Sequence, residues 1–445
     1  IKQFAYVGPN KTADMGIYEK IQDASYLAID CEVGKDLIGI AVAINSEEAF
    51  FFPINGKNNS WIPREKIRDS LVVFHNAKYD LKYLSDWGIE VREFVDTMLV
   101  ASEEGEPEFG LQYLTSKNLG YDITSIMSLI PKVGRKKGTV DDIPIEDVAR
   151  VCCSHALATY QLWEYYKVNP SSLWWALDLP FLKLVMEMEQ VGVGIDPKEV
   201  SLQKGILEAE RDIILGRIHI PQKVLNSTKQ LRELLSNMGI EIKGKTKKGR
   251  VSVNEESLLE SREQSPELID NILKYREINK TLTTYIPAFE GQHRIHSDFG
   301  ITRTARLTSS EPNMQNLTRG PLRKIVKAAP GHILVVADYD QLEAKILGAM
   351  AKDKQMIDAY NSGKYDQHQE VADYITKLTG KVFPRYDAKQ LNFAMKYGGS
   401  VYLAMRMAGL TEEQGNQFME WLDNRFPIST EYKRKVIAKA KREGF

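Results

Sequence analysis

The sequence predicts a multidomain fold, α/β in its first third and α+β in the remainder. Three observations carry that reading. Short aromatic and branched runs at Tyr26–Asp30, Leu37–Ile44 and Ala49–Ile54 follow one another closely, as strands of one sheet do. Helical periodicity then takes over, first at Ile145–Tyr166 and again at Leu173–Gln190. The length, 445 residues, allows two or three domains.

In chain order, Leu71–Phe74 is a further short strand of the first domain, which should span 1–168. The helix ending near Gln190 meets Gly192 and Gly194 and then Pro197, which punctuate the chain. Residues 197–290 read as long polar helices around a basic loop at 243–250, within a second region of 169–300. Gly216–Ser227 reads awkwardly there and suggests a missing loop. Ile333–Ala337 is expected to be a buried strand ending at Asp338, and helices dominate from Leu342 in a third region, 301–445.

Bulk properties are those of an ordinary soluble protein, with 43% hydrophobic and 27% charged residues, which argues against a disordered or fibrous chain. No apolar run approaches the roughly 20 residues of a membrane helix, so no membrane partner is expected. The first residues lack signal-peptide character, and three cysteines without zinc spacing fit a reducing compartment. The expected location is intracellular: the cytoplasm of a bacterial or phage-infected cell, or an organelle. Net charge is −1, which neither supports nor excludes nucleic acid, because binding depends on local clustering. Basic runs at 132–137, 243–250 and 433–442 suit either phosphates or a solvated face.

Asp30 and Glu32 are two apart on a predicted strand, so both point to one face, about 7 Å apart at the backbone. That spacing can hold a common divalent metal. Asp80 follows a second strand, and Asp96 comes later. The alternative is a set of surface acids at strand ends.

The second half holds three notable segments. Thr302–Leu317 carries Arg306, Asn313, Gln315 and Asn316, side chains that can bond phosphates, sugars and base edges or simply line a polar loop. Asp338 closes the predicted strand with Glu343 at the opening of a helix, where a metal site or a helix cap would both fit. Arg385, Lys389, Phe393 and Tyr397 recur every four residues, so on a helix they fall within roughly 120° of one another. That face suits a nucleoside triphosphate, cations for phosphate and rings for sugar or base. It would equally suit the wet edge of an amphipathic helix. His368 lies upstream, in a loop rich in Tyr, Asp and His.

The first-domain pattern resembles the proofreading 3′→5′ exonucleases of the DEDD type. Asp30 and Glu32 match the first motif and Asn76–Asp80 the second. The third, Tyr-x-x-x-Asp, falls on Val151 and His155. The resemblance implies metal binding by Asp30, Glu32 and Asp80. The missing tyrosine and carboxylate imply a weakened or absent exonuclease activity, since imidazole serves Mg²⁺ less well than carboxylate.

The three later segments, in this order, resemble the family A DNA polymerases of the bacterial polymerase I type. Thr302–Leu317 matches a primer-template segment, with Ala305 where glycine is usual. Asp338 onward matches motif A, with Asp340 for serine and Lys345 for arginine. Arg385, Lys389, Phe393 and Tyr397 match motif B throughout. The implied fold is an RNase H-like exonuclease domain followed by a right-hand polymerase of palm, thumb and fingers, lacking the C-terminal part of the palm.

The resemblance also implies roles. Asp338 would bind two Mg²⁺ ions, or Mn²⁺ as an alternative, with the Tyr339 carbonyl assisting. Gln341 belongs to the nucleotide-binding set. Arg385, Lys389 and His368 would hold the phosphates, and Lys389 would protonate the leaving group. Phe393 would pack on the sugar, Tyr397 would stack near the templating base, and Glu343 would exclude ribonucleotides. Arg306, Asn313, Gln315 and Asn316 would touch the duplex, and Lys245, Lys247 and Lys248 of the thumb would lie over its phosphates. Primer-template DNA and deoxynucleoside triphosphates are the implied partners, with replication accessory proteins alongside them.

The family's second palm carboxylate lies further along than Phe445. The chain alone is therefore expected to bind DNA and nucleotide poorly and not to polymerise, while the intact protein does. The absence of room for a leading 5′-nuclease domain suits a phage or organellar enzyme as well as a trimmed bacterial one. A 3′→5′ exonuclease with a non-functional polymerase half and a non-catalytic DNA-binding scaffold are the competing readings.

Overall fold

A computed structural model describes residues 3–6, 15–54, 61–133, 136–166, 174–242, 244, 251–302, 304–317, 320–396 and 398–444. The chain divides into two compact units, Ile1–Leu334 and Val335–Phe445.

The first unit is built on six strands: β1 (Gln3–Tyr6), β2 (Leu27–Val33), β3 (Leu37–Ala43), β4 (Glu48–Pro53), β5 (Leu71–Phe74) and β6 (Glu93–Asp96). Their order in the sheet is β1-β4-β3-β2-β5-β6. β3 runs antiparallel to both β2 and β4, while β2, β5 and β6 are mutually parallel. The near-continuous apolar runs of β3 and β4 are those of strands covered on both faces. Alternation along β2 assigns those faces. Leu27, Ile29 and Cys31 enter one core with Phe50, Phe52 and Phe74. Ala28 enters the other, with Ala41, Ala43, Ala49 and the helix Ile145–Tyr166. By the two-residue period, Asp30 and Glu32 share the face of Ala28 and so face that helix.

A separate helical core follows, formed by Pro197–Ile218, Thr228–Asn237 and Pro266–Lys280 around fully buried Tyr275. The awkward stretch 216–227 is continuous: it closes the first helix and holds a one-turn helix, Gln222–Leu225, before the next begins. His219 closes the first helix in the left-handed region at φ 51°, and Ile220 and Leu225 plug the core. The basic loop residues Lys245, Lys247 and Lys248 lie outside the described residues. A two-stranded hairpin, Asp298–Ile301 with Leu307–Ser310, carries the Arg306 turn.

The expected strand Ile333–Ala337 is not a strand. The segment has no regular secondary structure, and Val335 and Val336 are 81% and 93% exposed. A strand exists by its ladder, and no described segment pairs with this one.

The second unit is helical. Gln367–Thr379, Arg385–Lys396, Val401–Ala408 and Glu412–Arg425 pack around Ile375, Leu391 and Phe418. Leu342–Ala351 and Lys354–Asn361 contribute a smaller cluster with Phe426. Buried Asp353 ties it together, capping the second of these helices at Met356 N (3.1 Å) and accepting from Ser429 N and Oγ at 3.1 and 2.9 Å. No helix among the described residues is long and apolar enough to cross a membrane.

Candidate functional sites

The helix Arg385–Lys396 buries Ala388, Leu391, Asn392 and Met395 and presents Arg385, Lys389 and Phe393 on its other side. The periodicity of four has its expected effect there. Tyr397 lies outside the described residues. The Phe393 ring is flanked by two ammonium groups, Lys389 Nζ at 5.8 Å and Lys396 Nζ at 5.9 Å from its centroid, with the His368 ring 5.8 Å away. Burial lowers the Lys396 pKa, while the Glu343 carboxylate acts against that fall.

His368 is not in a loop, as the sequence suggested, but in the first turn of Gln367–Thr379. Asp366 is the reason. Its Oδ1 accepts from His368 N and Gln369 N at 3.0 and 3.1 Å and so starts the helix, and its Oδ2 accepts from Arg385 Nε at 2.7 Å. The neighbouring buried Asn392 orients the imidazole. Its Nδ2 donates to the Gln367 carbonyl at 3.2 Å and faces His368 Nδ1 at 3.0 Å, so Nδ1 is the acceptor and Nε2 carries the proton. Burial lowers the His368 pKa, and Lys396, Arg385 and Lys389 add to the fall.

Gln341 sits in the left-handed region at φ 51° as the cap of Leu342–Ala351, and its Nε2 reaches the Tyr365 carbonyl at 3.4 Å. Glu343 lies in the first turn of that helix. Asp338 and Tyr339 are exposed on the irregular segment before it. Asp338 makes no hydrogen bond or ion pair with any described residue.

In the first unit, Arg306 follows a tight turn in which Ala305 takes φ 56°. Asn313 spends its oxygen on Gln315 N and Asn316 N, at 3.0 and 3.2 Å, and Gln315 Nε2 is bonded to the Leu307 carbonyl at 2.9 Å. Asn316 is exposed.

The acidic site forms around β2. Asp30, Glu32 and His155 bring their ligating atoms within 4.8 Å of one another, the one such group among the described residues. His155 Nδ1 stands 3.6 Å from Asp30 Oδ2 and 3.6 Å from Glu32 Oε1. Burial opposes a charge on His155, but the Asp30 and Glu32 carboxylates outweigh it and raise the pKa to about 10. Burial raises the Glu32 pKa, partly offset by His155. Asp80 is not part of the trio. It is buried, accepts from Cys31 N at 2.8 Å, and is raised well above the carboxylate range by burial and by Asp30. Asp96 caps two chain segments, accepting from Ala77 N at 2.8 Å and from Asn76 N and Met98 N at 2.9 Å.

The model of DNA polymerase family A matches residues 199–445, and that of a 3′-5′ exonuclease matches residues 11–165. The chain belongs to DNA polymerase family A. DNA polymerase I of Borreliella burgdorferi is 28% identical, over 94% of this chain and 49% of that protein. DNA polymerase I of Chloroflexus aurantiacus is 27% identical, over 98% and 51%. The chain thus spans about half the length of these relatives. A solved structure, the POL domain of Pol1 from M. smegmatis in complex with DNA primer-template and dNTP, has the same fold. Its TM-score is 0.74 at 20% identity, covering 99% of this chain and 79% of that one.

Within this family A chain, motif reading missed four groups around these sites: Asp366, Asn392, Lys396 and Thr124, whose carbonyl oxygen lies 2.9 Å from His155 Nε2. Asp366 had a signal, an acid immediately before a helical period. Asn392 and Lys396 fall off the four-residue repeat, and Thr124 acts through its backbone.

Proposed function

We propose that the protein is a template-directed DNA polymerase that adds deoxynucleotides to a primer 3′ end. The observation that carries this is the single helix face on which Arg385, Lys389 and Phe393 stand together, with neutral His368 at its side. Arg385 and Lys389 would take the β- and γ-phosphates, and the proton on His368 Nε2 would serve the same oxygens. Phe393 would pack against the sugar, leaving Glu343 to crowd the 2′ position. The primer 3′-oxygen attacks the α-phosphorus, the bond to the β-phosphate oxygen breaks, and Lys389 is placed to protonate the departing pyrophosphate.

Metal chemistry in such a transfer activates the hydroxyl and neutralises the phosphates. Asp338 offers one exposed carboxylate for it. One carboxylate does not make a two-ion site, and no further ligating side chains gather around it among the described residues. Primer extension by the intact protein tests the reading. Wild type should extend and Asp338→Ala should not; equal extension by both would remove Asp338 from the reaction.

We also infer that the exonuclease-like domain is a weak or inactive nuclease, because His155 occupies the corner where a carboxylate would complete the acidic site. Rapid, metal-dependent degradation of a 3′-labelled single strand, abolished by Asp30→Ala, would overturn this.

A further inference from the structure

We propose that Glu189 is a positioning residue for primer-template DNA, through which the exonuclease-like domain braces the hairpin that carries Arg306. The inference rests on the polymerase reading for its DNA partner.

The helix Leu179–Val191 is anchored in the exonuclease-like domain, where Leu179 and Leu182 pack against both cores of the six-stranded sheet. Its last turn is held by the hairpin. Glu189 Oε1 accepts from Phe299 N at 2.6 Å and pairs with Lys78 Nζ. The pair is largely buried, the side chains of Lys78 and Glu189 being 18% and 17% exposed. Lys78 stands on the helix Ala77–Asp86, two residues before Asp80. One carboxylate oxygen therefore joins an exonuclease helix, the helix Leu179–Val191 and the strand Asp298–Ile301.

The same strand approach takes up the carbonyls that end the helix. Arg294 donates from Nε to the Val191 carbonyl at 2.6 Å and from Nη2 to the Gly192 carbonyl at 2.9 Å. His296 Nδ1 donates to the Glu189 carbonyl at 2.8 Å. A cation here also meets the negative end of the helix dipole. Gly192 permits the approach: it takes φ 64°, and a Cβ there would lie 2.6 Å from the Ile295 carbonyl oxygen. At the far end of the strand, Ile301 packs against the exonuclease core.

The contacts continue toward the DNA-facing segment. Phe299 pairs with Ser309 across the hairpin. Ser309 Oγ accepts from Met314 N at 3.0 Å and donates to the Pro312 carbonyl at 3.4 Å. Ser297 Oγ donates to that carbonyl at 2.9 Å. A path thus runs from Lys78 to the segment of Asn313, Gln315 and Asn316, and the turn of the hairpin carries Arg306. A buried ion pair adds little net stability over an apolar pair, but losing one partner leaves the other charge uncompensated. Here it fixes where the strand sits. A domain whose acidic site departs from its family's third motif keeps a role as a brace.

The test uses the intact protein. Primer-template binding is read by fluorescence anisotropy, nucleotide use by single-nucleotide extension, and the hairpin by amide hydrogen exchange over 298–310 without DNA. Lys78→Met and Glu189→Gln should each weaken DNA binding by about three- to tenfold, the range of one hydrogen bond, and speed exchange in the hairpin. The kcat at saturating DNA and the nucleotide KM should stay within about twofold of wild type. Lys78→Arg should restore binding. In an Arg306→Ala background, Lys78→Met should add no further loss, because both act through one hairpin. Should Glu189→Gln fail to fold, the Lys78 variants decide. Unchanged DNA affinity in Lys78→Met would overturn the proposal, as would fully additive losses with Arg306→Ala. Equal falls in kcat, nucleotide affinity and DNA affinity would mark a merely structural pair and overturn it too. Failure of wild type to extend primers would instead count against the polymerase reading, with DNA binding and hairpin exchange still deciding the brace.

Discussion

Arg385 donates from Nε to the Asp366 carboxylate at 2.7 Å, and the same carboxylate caps the helix that carries His368. One acid thus holds two of the groups assigned to the triphosphate. A phosphate arriving at Arg385 must compete with it.

That competition can be separated from the cap. Asp366→Asn keeps a good capping side chain, so stability should stay within about 0.5 kcal/mol of wild type. The ion pair is half-exposed and worth at most about 1 kcal/mol, so its loss should lower the KM for nucleotide by up to about fivefold. Asp366→Ala should instead cost about 1 kcal/mol in urea unfolding. A rise in KM with Asp366→Asn would show that the carboxylate helps the arginine rather than restraining it.

Glu343→Ala should admit ribonucleotides. With Glu343 in the proposed place against the sugar's 2′ side, removing its carboxylate should cut discrimination between deoxy- and ribonucleotides by about tenfold or more in single-nucleotide extension. Unchanged discrimination would take Glu343 out of the gate.

Phe393→Tyr should ease the use of 3′-deoxy terminators. The new hydroxyl can stand in for the missing sugar hydroxyl, and one such hydrogen bond corresponds to about fivefold. Equal terminator use by the two proteins would place the ring elsewhere.

Ala305 occupies the left-handed region at φ 56°, where a Cβ is strained by about 1 kcal/mol. Ala305→Gly should therefore raise resistance to denaturant by up to that amount. A loss of stability would mean that the flexibility of glycine in the unfolded chain outweighs the relief.

Burial lowers the His368 pKa beneath its ordinary 6.5. As pH falls through 6.5, the unfolded chain takes up a proton that the folded one refuses, so stability declines on acidification. Above that pH the contribution is absent. His368→Gln should flatten this slope relative to wild type in pH-dependent unfolding, and parallel slopes would contradict the burial argument.

The sheet was largely legible in the sequence because β2 to β5 are bounded apolar runs, and Ile145–Tyr166 matches its helical period at both ends. β6 was not: four residues beginning with Glu93 look like a loop until a parallel neighbour supplies the ladder. Ile333–Ala337 failed for the opposite reason, since strand propensity is local and a strand's partner is not. The every-fourth-residue pattern placed Arg385, Lys389 and Phe393 on one helix face, whereas Asn392 is visible only once His368 lies beside it. Asn313 Oδ1 and Gln315 Nε2 each bond nearby backbone, a local use that the sequence pattern does not disclose. Hydrogen-bonding capacity in a sequence does not say where it will be spent.

Ala28, Ala41, Ala43 and Ala49 form a bed of methyl groups beneath the helix Ile145–Tyr166. Those methyls act as a spacer gauge. They set the height at which His155 hangs over β2, and the 3.6 Å gaps to Asp30 and Glu32 follow from that height. A single enlargement such as Ala28→Val would lift the helix and widen the gaps without touching any charged group. The ligating geometry of the acidic site is thus governed by residues that carry no chemistry of their own.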